Sequence, residues 1–132
     1  MVTKSCAFTF VVILLTLPIY AYAQHMNDPG APCRGVGLEV KSTRCLFNAS
    51  QIADRHLQQT VQNIQEKMPG SHLEQLPQME KMWVLYKNSF CDAEYALYDG
   101  ASGGPPAHFA CLEALTRHHE DELITTYGRY LN

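Results

Sequence analysis

Apolar residues along this chain fall into three helix-period runs separated by two breaks rich in proline and glycine. In the first run Leu38, Cys45, Ala49, Ile52 or Ala53, Leu57, Val61, Ile64 and Met68 recur at helical steps, with Lys, Arg, Gln, Asp and Asn between them. This is the pattern of a helix with one buried and one wet face. Strong helix formers dominate and no Pro or Gly interrupts the run, so one long helix should close at Pro69-Gly70. Ser71 then caps a short turn holding Leu73 and Leu76, with Glu74 at the capping-box position. Pro77, which has no N–H to donate, suits the first turn of a second helix reaching about Leu97. Its apolar stripe, Met79, Trp83, Tyr86, Phe90 and Ala93, is expected to face the core. Residues 99–106, Asp-Gly-Ala-Ser-Gly-Gly-Pro-Pro, should hold no regular structure. A third helix is predicted from about Ala107 to Tyr127, with Cys111, Leu112, Leu115, His119 and Leu123 inward and Gly128 as its stop. Tyr130 and Leu131 would pack back on the body. With no strand-like alternation longer than a few residues and no internal repeat, the expected fold class is all-α, a small bundle of three main helices.

The first 23 residues carry a different pattern. Lys4 precedes an apolar run from Ala7 to Leu17, Pro18 breaks it, and Ala21-Tyr22-Ala23 has small residues where a signal peptidase reads. The run is too short to cross a bilayer. A signal peptide over 1–23 is expected, followed by an irregular lead-in over 24–37 and a helical domain over 38–132. Processing would also remove Cys6, leaving Cys33, Cys45, Cys91 and Cys111, an even set that suits two disulfides in an oxidising compartment. An antiparallel helix hairpin brings Cys91 and Cys111 together, so that pair is favoured, with Cys33–Cys45 as the other. Four cysteines allow three pairings, and the crossed ones stay open at this level. With no Cys-x-x-Cys pair, the spacing does not suggest zinc.

Composition narrows the function classes. The full chain carries 10 basic against 13 acidic residues, and loss of Lys4 would leave nine against thirteen. A mildly acidic domain has no electrostatic footprint for nucleic acid and a mild attraction to basic partners. His118 and Glu122 have metal-ligand spacing only as a minimal pair, while His118 and His119 point about 100° apart on a helix. There is no nucleophile elbow and no His-Glu-x-x-His. Neither a catalytic site, a metal site nor a small-molecule cofactor is expected.

Four segments together resemble the N-terminal domain family of LprI-type lysozyme inhibitors, small helical envelope proteins of bacteria. Cys33 and Cys45 have that family's first-pair spacing. Ala53-Asp54-Arg55-His56-Leu57 is similar to its Ala-Asp-x-x-Leu segment, and Trp83-x-x-Tyr86-Lys87-x-x-x-Cys91 to its Trp-x-x-aromatic-Arg-Asp-x-x-Cys signature. Cys111-Leu112-x-x-Leu115-Thr116 followed by Leu123 resembles its last helix. The resemblance covers residues 33–123 and names Asp54, Leu57, Trp83, Tyr86, Leu115 and Leu123 as core-motif positions. Departures fall on charges. Lys41 stands where the family carries Glu, Lys87-Asn88 where it carries Arg-Asp, and His119 where it carries Arg. Lys lacks the bidentate fork of Arg, so any ion-pair network of the relatives is rewired in this chain.

The resemblance implies a periplasmic or secreted binding protein, not an enzyme, that blocks a lysozyme or another basic envelope protein. The alternative is an envelope-interaction or toxin-immunity protein without lysozyme inhibition. A stapled loop enters a partner's cleft with little ordering cost. Tyr98, Asp99, Gly100, Ser102, Gly103 and Gly104, flanked by Asp92 and Glu94, are therefore the candidate partner-binding residues. No membrane span is expected in the processed chain.

Overall fold

Three helices build the protein: α1 (Glu39–Lys67), α2 (Leu76–Ala96) and α3 (Gly104–Leu131). The structure, a computed structural model, describes residues 25–37 and 39–132. The expected leader over 1–23 and Leu38, read as the first inward residue of the first helix, lie outside the described residues. Short 3-10 turns at His25–Asn27 and Gly70–His72 complete the regular elements, and no strand occurs among the described residues. Both expected disulfides are present, Cys33–Cys45 and Cys91–Cys111.

The path is up-down-up, with α3 as the hub. Contacts rise together along α1 and α3: Phe47 meets Phe109, Asp54 meets Thr116, Thr60 meets Glu120, and Lys67 reaches the Leu131 carbonyl. Those two helices are therefore parallel. Small residues on the shared face, Ser50, Ala53, Ala110 and Ala114, let them approach closely along their length. On α2 the order reverses, since Cys91 pairs with Cys111 and Glu80 with His119. Both α1 and α2 pack on α3, while the α1 and α2 backbones scarcely approach each other.

The interior changes character along the bundle. At one end Leu57, Ile64, Met68, Leu76 and Leu123 form an apolar cluster, covered by Trp83, Tyr127, Tyr130 and Leu131. Polar groups occupy the middle, and the buried cystine with Ala107 and Ala110 fills the other end. Cys33 lies at φ 67° in the left-handed region, which turns the lead-in back along α1 to reach Cys45.

Several expectations change. Helix α3 begins at Gly104, three residues before Ala107, and runs through Gly128 to Leu131. Prolines 105 and 106 sit in its first turn, where their missing N–H groups have no helical partner to lose. Gly128 does not stop α3 because a single mid-helix glycine costs only about 1 kcal/mol, and Tyr127, Tyr130 and Leu131 pack on the core to either side of it. The segment after α1 is a 3-10 turn preceded by Pro69, with no side-chain cap from Ser71.

The largest correction concerns α2. Its inward line is Leu76, Glu80, Trp83, Lys87, Cys91 and Glu94, whereas Met79, Tyr86 and Phe90 are exposed. Tyr86, expected in the core, is 55% exposed. The cystine sets this rotation. Cys91 must face Cys111, so Glu94, Lys87, Trp83 and Glu80, three, four, eight and eleven positions from it, follow it inward, and the apolar stripe one residue earlier turns about 100° away.

Candidate functional site

Three of the signature positions meet at one polar node in the middle of the bundle. Lys87 is 7% exposed. Its Nζ donates to Asp54 Oδ1 on α1 at 2.9 Å and to Thr116 Oγ1 on α3 at 3.2 Å. The Thr116 hydroxyl, having accepted from Lys87, donates onward to Asp54 Oδ1 at 3.3 Å. The ammonium also lies 4.7 Å from the Trp83 ring centroid, a distance at which the ring quadrupole attracts a cation. His119 stacks on Trp83 with centroids 4.2 Å apart and ring planes 9° from parallel. Its Nε2 lies 2.8 Å from Glu80 Oε1; a carboxylate can only accept, so Nε2 carries the proton of this bond. One cation on α2 is thus tied to a carboxylate on α1 and a hydroxyl on α3, and the node joins all three helices where backbone contact between α1 and α2 is sparse.

A groove of about 390 Å³ opens over this node between α1 and α2. Asp54, Gln58, Gln62, Glu80, Trp83 and Val84 are among its lining residues. No nucleophile–base pair converges there. Lys87 is held by two hydrogen bonds and a ring, and Asp54 already accepts from two donors. The chemistry on offer is hydrogen bonding and charge, without an activated attacking group.

The stapled end is tighter than its composition suggests. Only residues 97–103 separate α2 from α3. Backbone bonds from Tyr98 to Tyr95, Asp99 to Ala96, Ala101 to Tyr98 and Gly104 to Ala101 wind it into consecutive turns, with Asp99 at φ 47° and Gly100 at φ 79°. A Cβ on Gly103 would lie 2.9 Å from the Tyr98 ring, and one on Gly104 2.9 Å from the Tyr95 ring. Both glycines therefore let aromatic rings sit directly on the backbone. They are packing positions and not a mobile loop.

Of the predicted partner-binding residues, Asp92, Asp99, Gly100 and Ser102 are exposed on this end. Tyr98 and Gly103 are half-buried, and Gly104 is buried inside α3. Glu94 does not belong to that surface. It is 9% exposed, and its Oε2 pairs with His25 Nδ1 at 3.0 Å because it lies on the inward line of Cys91. His25, Glu94 and Cys111 bring donor atoms within 4.8 Å of one another. Cys111 Sγ is bonded to Cys91 and is no thiolate, which leaves two donors, too few for a tetrahedral site.

Among the core-motif positions, Leu57 and Leu123 are buried, Asp54, Trp83 and Leu115 are half-buried, and Tyr86 is outside. The sequence carries Thr116 within the last-helix signature but gives it no role, and it singles out neither Glu80 nor His25. Glu80 was findable by stepping back from Cys91 along helical positions 87, 83 and 80. His25, which lies 69 residues from its partner Glu94, carries no such signal. Of the charge departures, Lys87 and His119 are both paired within the node, and Lys41 is exposed on α1.

Among the described residues no helix is long and apolar enough to cross a membrane. No curated protein and no solved structure matches the chain. The family described as Lysozyme inhibitor LprI matches residues 33–123, from the first cystine residue to the last core leucine of α3. That span takes in both disulfides, the Asp54–Lys87–Thr116 node and most of the three helices, so the chain belongs to the LprI lysozyme-inhibitor family.

Proposed function

We propose that the protein is a periplasmic or secreted binding protein, processed after Ala23, that inhibits a lysozyme-type muramidase without catalysing a reaction. The observation that carries this reading is the family match across the whole stapled body. Two disulfides are consistent with an oxidising compartment outside the cytoplasm. Blocking needs a rigid convex feature against a cleft, and a pre-ordered element loses less entropy on docking than a flexible loop. The wound turn of 97–103, held between two helices by a buried cystine, meets that requirement. The exposed carboxylates of Asp99 within it and Asp92 beside it favour a basic target.

The test is a cell-wall lysis assay with the oxidised protein against c-type, g-type and i-type lysozymes. Inhibition of at least one class is expected. The Asp92→Lys/Asp99→Lys variant, with an unchanged melting temperature, should need roughly tenfold more protein for the same effect, the size expected when rim charges of one sign are reversed. Full lysozyme activity at a large molar excess of the native protein ends this reading.

The charge departures at Lys41, Lys87, Asn88 and His119 favour a second reading, an envelope-interaction or toxin-immunity partner without lysozyme inhibition. Capture of a different envelope protein by the native chain, with no effect on any lysozyme, would select it.

A further inference from the structure

The apolar stripe of α2 that the cystine turns away from the core is uncovered. Met79, Met82, Tyr86, Phe90 and Leu97 are between 37% and 79% exposed, and with Ala93 they follow one another at steps of three and four. Tyr86 and Phe90 already touch, with centroids 5.7 Å apart. At about 100° per residue the stripe contains no charged side chain, and Lys81 and Asp92 project from the far side of the helix. Isolated exposed apolar residues are ordinary, but a whole helix face of them marks an interface.

We propose that this stripe is a homodimer interface, with α2 packed antiparallel on α2 of a second copy. The order of side chains names that occupant. A two-fold axis crossing the helix at the level of Asn88 sets Tyr86 against Phe90 of the second copy and Met79 against Leu97. It also sets Met82 against Ala93 within one residue, or about 1.5 Å, so a long side chain meets a small one. A two-fold interface must be self-complementary in this way. A stripe built for an unrelated surface has no reason to mirror itself about its own centre. Lacking charge, it also brings no like charges together when it meets its own copy.

The area agrees with a weak dimer. Taking about 200 Å² for each large side chain and the exposed fractions above, the pairing removes roughly 1,000 Å² in total, the lower bound of specific interfaces. The stripe takes in Leu97 but no other residue of the turn at 97–103 and none of the residues that line the groove beside α1, so dimerisation does not depend on which target the protein binds.

Sedimentation equilibrium of the oxidised protein over roughly 1–300 µM should give a mass rising toward twice that of the monomer, as a micromolar dissociation constant requires. Tyr86→Glu should weaken the dimer at least thirtyfold, about the loss seen for a central hot spot. Phe47→Glu, on the separate exposed patch of α1, should leave it unchanged. Ser89→Cys, close to the proposed axis, should form a covalent dimer under air. Met82→Lys/Leu97→Lys repeats the reading if Tyr86→Glu does not fold, with circular dichroism as the check. A monomer throughout this range with no Ser89→Cys cross-link overturns the proposal. So does a dimer sensitive to Phe47→Glu and not to Tyr86→Glu, and so does a monomer whose stripe variants lose lysozyme binding, which would hand the surface to the target.

Discussion

Replacing Cys91 and Cys111 together by serine is expected to lower the melting temperature by roughly 15 °C under non-reducing conditions. The bond closes a segment with a sequence separation of 20 residues, and both sulfurs are fully buried. Loop-closure entropy for a segment of that length gives about 3 kcal/mol. For a domain of this size each kcal/mol moves the midpoint by about 4–8 °C. The structure adds a second reason for a large effect. The cystine holds α2 in the one rotation that presents Lys87 to Asp54 and Trp83 to His119. The comparison is Cys33→Ser/Cys45→Ser, whose loss frees a short lead-in that can fray without opening the bundle, so a shift of only a few degrees is expected. Thermal melts followed by far-ultraviolet circular dichroism check both. Equal shifts for the two pairs would refute the assignment of α2's rotation to the second cystine.

Asp54→Ala is expected to destabilise the protein by about 2–3 kcal/mol, read as a lower denaturation midpoint at unchanged slope. It leaves the Lys87 ammonium with the Thr116 hydroxyl and the Trp83 face but no counter-charge. Breaking a buried ion pair from one side costs about 3–5 kcal/mol. The Asp54 side chain is 37% exposed, so water enters the vacated place and the expected loss falls below that range. Lys87→Met removes the cation instead and leaves a carboxylate that water can reach, which should cost less. The double variant Asp54→Leu/Lys87→Met should recover most of the loss, because an apolar pair replaces two charges without stranding either. A double variant as unstable as the sum of the singles would show that the two groups are not coupled.

Much of the architecture was legible because it rests on local signals. The run from Leu38 to Met68 has an apolar face and no breaker, and a long helix follows wherever tertiary packing can cover that face. The hairpin of the second and third helices put Cys91 beside Cys111 by chain geometry alone. The ends of the third helix were misread for physical reasons. Gly104, Pro105 and Pro106 look like a break, yet glycine under a tyrosine ring and proline in a first turn are both compatible with a helix start.

The candidate site was less legible. Asp92 and Glu94 are two residues apart and alike in chemistry, but one lies on the surface and the other is buried against His25. Helix rotation decides between them, and composition does not encode rotation. Met79, Tyr86 and Phe90 are the clearest case. Their spacing is that of a core stripe, and spacing cannot tell a face covered by this chain from one left for another.

By itself the sequence determined the helical class and the family and favoured the cystine pairing, since each depends on short-range pattern and spacing; the fold excluded the crossed pairings. Tertiary structure alone decided which face of α2 is inside. A covalent bond to α3 and one buried lysine outweigh the apolar stripe beside them, because a cystine tolerates no other rotation and a buried ammonium needs its carboxylate.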